Sequence, residues 1–260
     1  MSQPTGYRER NSTADRALNI LEMFTDDHLV LSAAEVAEHL GVARSTAYRY
    51  LETLVQSDFL AEDGRAGFRL GMKVLQLSRL ARRSYGLADI AVPALRALAG
   101  RFHQTVLLTK LMGNAVVCLE REESTEQYLR LSYQRGTILN VNAGASALVL
   151  LAWLPTRQLT QLLASVKLQR FTSASLTDPE QLKTRLAAIK ADGCAITHGE
   201  VDPDAIGIAA PIFQSSGAVL AAVSIVAIRS RVTDSTVDDM VKAVIRTAAD
   251  LTERAIQLEA

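Results

Sequence analysis

The run Leu31-Ser-Ala-Ala-Glu-Val-Ala-Glu-His-Leu-Gly-Val-Ala-Arg-Ser-Thr-Ala-Tyr-Arg-Tyr-Leu-Glu-Thr-Leu54 decides how this chain folds. It reads as two short helices joined by a tight turn. Ser32 is a good N-cap, and Glu35 stands three residues on, the spacing of a capping box. Leu31 and Val36 lie either side of the cap, where a hydrophobic staple sits. The first helix then runs to Leu40 and stops at Gly41, the residue best suited to a left-handed cap. The second starts near Arg44 and repeats apolar residues at Ala47, Tyr50, Leu51, Leu54 and Val55. Its other face carries Ser45, Thr46, Tyr48, Arg49 and Glu52. Long donors and small hydroxyls near a helix N-terminus suit a DNA groove, whereas a helical hairpin in a core needs neither.

Both neighbouring segments extend this reading. Phe59 to Leu70 alternates around Asp63-Gly64, a strong hairpin signal. A hairpin directly after a recognition helix is the wing of a winged helix-turn-helix, with Arg65 and Arg69 placed to reach phosphates. Upstream, Thr13 to Thr25 reads as a helix whose Ala17, Leu18, Leu21, Met23 and Phe24 complete a small core. Downstream, Met72 to Ser84 reads as a linker helix with Met72, Leu75, Leu77 and Leu80 along it. Gly86 marks the boundary, and a helix from Leu87 to about Phe102 follows, bent at Pro93.

Beyond Phe102 the pattern changes to strands, then helices, then strands. Strands are expected over Thr105–Leu111, Ala115–Arg121 and Gln127–Tyr133, with Met112-Gly113-Asn114 as a turn. Helices are expected over Ala143–Leu154, Thr156–Val166 and Asp178–Asp192, the last with Pro179 at its first position. Strands return at Cys194–Gly199, Gly207–Gln214 and Ala218–Ile228, and a long helix capped by Asp234 or Ser235 runs to about Leu258. This order implies an α+β domain built on an antiparallel sheet.

The helix-turn-helix, the wing and the run Phe68-Arg69-Leu70-Gly71 together resemble the DNA-binding domain of the isocitrate lyase regulator (IclR) family of bacterial transcription factors. The likeness continues through Thr177-Asp178-Pro179, Gly207 to Phe213 and Ser230 to Thr233, and so covers nearly the whole chain. It implies three parts: a winged helix-turn-helix over 11–71, a linker helix over 72–85 and a GAF-like effector domain over 86–260. It implies a ligand-responsive regulator, a repressor of a catabolic operon controlled by a small organic-acid effector, acting as a homodimer or dimer of dimers on double-stranded operator DNA. The DNA-facing residues are then Arg44, Ser45, Thr46, Tyr48, Arg49, Arg65 and Arg69.

The same resemblance implies an effector pocket between the sheet and the segment 139–146, lined by Tyr128, Leu131, Leu139, Ala145 and Ser146, with Thr197, Ala205, Gly207, Ser224 and Val226. The residues themselves give an independent reason to look there. Asn142 to Ser146 opens a helix, and free backbone N–H groups at a helix start form an anion site. A mostly apolar lining with a few hydroxyls suits a small organic acid, aromatic acids included, better than a sugar phosphate. The same residues would also serve as ordinary sheet and helix core. Many family members carry a His and a Lys where this chain has Asn142 and Leu148, which removes a charge from the neighbourhood.

Composition bounds the remaining classes. Of the 260 residues 48% are hydrophobic, enough for a real core and too many for disorder. The net charge of +0 argues against a generally basic protein. Charge is unevenly spread, however: Arg44 to Arg83 holds eight basic residues against four acids, so a basic patch is available for DNA. No run reaches the ~18 apolar residues of a membrane span, and the polar first ten residues lack the apolar core of a secretory signal. A cytoplasmic protein is expected, with no membrane partner. Gly144-Ala145-Ser146-Ala147-Leu148 lacks the second Gly of a nucleophile elbow and sits in a helical pattern, so no enzyme is expected. No phosphate loop or dinucleotide fingerprint is visible, and no cofactor is expected. Cys194, His198, Glu200, Asp202 and Asp204 have the residue types of a metal site, but Asp-Pro-Asp is ordinary loop chemistry, and no metal is expected. The alternative reading is a metabolite-binding or enzymatic GAF-like domain with an N-terminal association module.

Overall fold

A computed structural model of the chain describes residues 13–25, 27–64, 67–84, 86–124 and 134–259. Its contacts fall into two compact units, divided between Ser84 and Tyr85. Among the described residues no helix is long and apolar enough to cross a membrane.

The first unit contains α1 (Thr13–Glu22), β1 (Leu31–Ser32), α2 (Ala33–Leu40), α3 (Arg44–Gln56), β2 (Leu60–Asp63), β3 (Gly67–Leu70) and α4 (Met72–Ser84). Local chemistry sets the boundaries of α2. The Glu35 N–H donates to Ser32 Oγ at 3.3 Å, and the Ser32 N–H donates back to Glu35 Oε2 at 2.7 Å. At the other end Gly41 takes φ +62°, where a side chain is disfavoured, and the Val42 N–H closes onto Ala37 O at 3.0 Å. Removing the cap hydroxyl leaves a helix-end donor unsatisfied. Ser32→Ala is expected to lower the stability of this unit by about 1 kcal/mol, read as a shifted urea midpoint at unchanged slope.

Ile20, Leu31, Val36, Ala47, Leu51, Leu54, Leu60 and Phe68 form one buried core beneath the three helices and the sheet. The staple pair Leu31 and Val36 is part of it. The hairpin β2–β3 is antiparallel, with Ala61 opposite Arg69. The sheet has a third strand that the sequence pattern did not reveal: β1 pairs with β3 through Leu31 and Phe68, giving the order β1-β3-β2. The first helix is three residues shorter than expected. Thr25 and His28 pair backbone to backbone at 3.0 and 3.2 Å and turn the chain toward β1. Within this unit α4 touches β2 and leaves Met72, Leu75, Leu77 and Leu80 exposed.

The second unit contains α5 (Leu87–Phe102), β4 (Thr105–Met112), β5 (Ala115–Glu122), β6 (Ile138–Leu139), α6 (Ala145–Ala152), α7 (Thr156–Ser165), α8 (Pro179–Asp192), β7 (Ala195–His198), β8 (Ala205–Phe213), β9 (Val219–Ile228) and α9 (Asp234–Glu259). The six strands form one antiparallel sheet in the order β6-β5-β4-β9-β8-β7. Helices cover both faces. α5 and α9 pack on one face through Leu95, Met240, Val244 and Leu251 against Ile206, Ile208, Val223 and Ile225. α6, α7 and α8 pack on the other through Leu148, Leu151, Leu162 and Leu186 against Val116, Ala195, Ala209 and Ala222. Small side chains on that face let α6 approach closely. All eight residues of α6 are buried, which accounts for its having no polar stripe.

Helix ends in this unit differ from expectation by one or two residues: α6 stops at Ala152 and α7 at Ser165, not at Leu154 and Val166. α6 begins at Ala145, not Ala143, because Gly144 at φ +87° is outside the helical region. α9 is capped one residue earlier than expected: the Thr236 N–H donates to Thr233 Oγ1 at 3.2 Å, while the Asp234 carboxylate pairs with the Arg229 guanidinium at 2.6 Å. The two-residue strand β6 was not foreseen. The expected strand over 127–133 lies outside the described residues.

Candidate functional site

The first surface of interest is the outer face of α3. Ala47, Leu51 and Leu54 point into the core, which turns Arg44, Ser45, Tyr48 and Arg49 outward; Thr46 is half-buried. The face is partly ordered by its own contacts. The Arg44 guanidinium lies 5.9 Å from the centre of the Tyr48 ring, and Tyr48 meets Phe68 of β3 edge-on at 6.2 Å between ring centres. The inner side is tied to α1 by the Arg16 guanidinium, which donates to the Tyr50 hydroxyl at 3.1 Å. α3 starts without a side-chain cap and without an acid in its first turn. The Thr46 N–H already donates to Ala43 O at 2.9 Å, which leaves the Arg44 and Ser45 N–H groups as donors at the positive end of the helix dipole, an arrangement that receives phosphate. Arg69 is exposed on β3; Arg65 lies outside the described residues.

The second site is a cavity of about 170 Å³ in the other unit, between the start of α6, the β6 edge and the sheet. It brings together Leu139, Ala145, Ser146 and Thr197 with Ala205, Gly207, Ser224 and Val226, eight of the ten positions singled out from sequence. The other two, Tyr128 and Leu131, lie outside the described residues. Antiparallel register explains the convergence. Ser224 of β9 stands opposite Leu107 of β4 on one side and Ala209 of β8 on the other, while Gly207 stands opposite both Thr197 and Val226. A Cβ on Gly207 would come within 2.8 Å of Thr197 Oγ1 and 3.2 Å of Ala145 Cβ, so only glycine lets α6 and β7 meet there.

Polar groups collect on the sheet side of the cavity. Ser146 Oγ and Ser224 Oγ share a hydrogen bond of 2.7 Å, and both are buried. Thr197 is buried beside them and donates to Gly207 O at 3.5 Å. The start of α6 faces a carboxylate from the chain itself: the Gly144 N–H donates to Glu200 Oε2 at 3.0 Å. Burial pushes the Glu200 carboxyl above its ordinary range, opposed by the Gly144 hydrogen bond and by the charge of Arg185. Asn140 of the expected segment 139–146 also lines the cavity, and Leu107, Thr137, Ile138, Glu200 and Val201 line it without having been singled out from sequence. Among the described residues no group of three or more His, Cys, Asp or Glu gathers as a metal site.

Two segments of the chain match known family models. That for the bacterial transcriptional regulator IclR C-terminal domain matches residues 80–253, and that for the IclR helix-turn-helix domain matches residues 13–64. The chain belongs to the IclR family. It is a helix-turn-helix transcription regulator, like the relatives it matches over most of its length. HTH-type transcriptional regulator BhcR of Paracoccus denitrificans is 33% identical, covering 91% of this chain and 85% of that protein. Transcriptional repressor IclR of Escherichia coli is 28% identical, covering 91% and 87%. An IclR homologue from Microbacterium hydrocarbonoxydans, solved in complex with 4-hydroxybenzoate, matches with a TM-score of 0.80 at 28% identity, over 92% of this chain and 99% of that one.

Two of the departures from the IclR-family pattern, Asn142 and Leu148, have structural roles here. Asn142 is buried and bridges to the loop before α8: its amide donates to Gln169 O at 2.9 Å and Leu176 O at 2.8 Å, and its Oδ1 accepts from the Gln169 N–H at 3.1 Å. Leu148 is fully buried in the core beneath α6.

Proposed function

We propose that this IclR-family regulator is switched by a small organic acid, aromatic acids included, held in the cavity at the start of α6. The observation that carries this reading is the cavity itself: apolar walls, three buried hydroxyls on one side and a helix start at its mouth. The Microbacterium relative, seen with 4-hydroxybenzoate, makes that acid the first to test. On the DNA side, Ser45, Thr46, Tyr48 and Arg49 read base edges, and Arg44, Arg65 and Arg69 hold phosphates.

One winged helix covers a short half-site, so useful specificity takes two, a helical turn or a multiple of it apart. We read the protein as a cytoplasmic homodimer or dimer of dimers. The exposed apolar residues of α4 meet α1 of a second copy around Leu18 and Leu21. Ligand binding favours one arrangement of the effector domains and so changes the spacing of the half-sites, which relieves repression of a catabolic operon. Linkage then requires that operator DNA change ligand affinity by the same factor.

Binding to the DNA upstream of its own gene across a salt series, paired with a thermal-shift screen of organic acids, tests both halves. Absence of salt-sensitive binding overturns the DNA-facing assignment. Absence of any acid that both raises Tm and alters DNA binding overturns the ligand assignment. Arg69→Ala is expected to weaken all DNA sequences about equally and to reduce the salt slope by about one unit, as loss of a single phosphate contact does.

A further inference from the structure

The anion site at the start of α6 is already met by a carboxylate of the protein. Glu200 sits in the turn after β7, where its Oε2 accepts the Gly144 N–H at 3.0 Å and its side chain lines the cavity. The turn is held in place from outside. Thr172 Oγ1 donates to Gly199 O, and Ser175 Oγ, itself buried, donates to Glu200 O at 2.7 Å. Among the described residues Glu200 is the one ionisable side chain in the lining, and no cation stands with it there.

We propose that Glu200 determines which acids the cavity accepts: it admits a monocarboxylic acid that shares one proton with it, and it rejects dianions. This inference rests on the cavity being the ligand site. A ligand carboxylate set against the open N–H groups of α6 lies beside the Glu200 carboxylate. Two carboxylates that share one site hold one proton between them, because both cannot ionise at contact. Binding of a monoanion therefore takes up a proton, and the pair is linked by a hydrogen bond from the protonated to the ionised carboxyl. A second ligand charge has no counter-ion among the described lining residues and meets only repulsion.

The charged surroundings of Glu200 are compatible with this uptake. α6 brings no charge to the contact, since Gly144 to Ala152 holds no ionisable residue. From α8 the field of Arg185 stabilises the ionised form, but its guanidinium is engaged with Ile196 O. His198, Asp202 and Asp204 on its own strand and turn, and Arg170 on the loop before α8, are exposed. Burial is the largest influence on Glu200 and favours the neutral form.

The sign of the pH effect follows. The complex binds more protons than free protein and free anion. Affinity for a monoanion is then highest at low pH, and falls about tenfold per pH unit as pH rises between the free and bound pKa of Glu200.

The test is isothermal titration calorimetry on the full-length protein with two matched pairs, propionate with malonate and benzoate with phthalate, in buffers of different ionisation enthalpy. Wild type is expected to bind at least one monoacid with uptake of close to one proton, and to bind its diacid partner at least tenfold more weakly. E200Q is expected to lose the proton uptake and the pH slope and to narrow the gap between monoacid and diacid. The proton count on wild type stands whether or not E200Q folds. Monoacid binding without proton uptake, with the order of ligands unchanged in E200Q, overturns the role of Glu200 and leaves the cavity as an acid site. No binding of any of the four acids to either protein overturns the acid-site reading, and this inference with it.

Discussion

Ser224→Trp is expected to weaken ligand binding more than about 100-fold, close to 2.7 kcal/mol, while operator binding stays at the wild-type level. Ser224 is fully buried in β9, between β4 and β8, with its hydroxyl on Ser146 of α6. An indole in its place occupies the cavity of about 170 Å³ and removes one of its hydroxyls. Some overpacking strain goes with this, commonly about 1–3 kcal/mol, so folding and oligomeric state are checked first by circular dichroism and light scattering. Ser224→Ala is the milder companion. It adds no bulk and removes only the hydroxyl, so it should weaken the ligand less than Trp does. If the Trp variant stays folded and still responds to ligand as wild type does, the cavity is not the ligand site. If it loses DNA binding while folded and correctly assembled, the cavity is not separable from DNA reading, and the assignment also fails.

Arg49→Ala should weaken binding to the specific operator by roughly 1–3 kcal/mol, the range for a bidentate contact to guanine, and should relax specificity at one base position. Two observations support the proposed role of Arg49. It lies one turn into α3 on the face opposite Ala47 and Leu51, and it is exposed. Among the described residues no carboxylate pairs with it, so its five donors are available to DNA. The contrast with the wing is the informative part. Loss of Arg69 should cost all sequences alike, whereas loss of Arg49 should cost the operator more than random DNA. Competition binding at fixed salt separates the two. Equal affinity of wild type and Arg49→Ala for operator means that a different face of α3 enters the groove.

The DNA-binding half was readable because its signals are short-range. A capping box spans four residues, Gly41 ends α2 within one turn, and Asp63 closes β2 with Gly64 directly after it. Each of these acts on the chain locally, whatever lies elsewhere. The 3.6-residue period of α3 then fixes which side chains face out, so Arg44, Ser45, Tyr48 and Arg49 were placed before any tertiary contact was known. The family resemblance did the same for eight lining positions of the cavity, which composition and periodicity do not distinguish from core.

Sheet register and long-range packing decided the rest. Leu107 reaches the cavity because β4 pairs with β9 opposite Ser224, and a shift of one residue would send it to the other face. β1 and β6 are two residues each, too short to carry an alternating pattern, and exist only because β3 and β5 offer them an edge. In sequence Glu200 was grouped with Cys194 and His198 as possible ligands for a metal. In the fold it serves Gly144, 56 residues away. That pairing depends on how closely α6 packs over β7 and β8, which Gly207 permits by having no side chain. Nothing within a few residues of Glu200 encodes it.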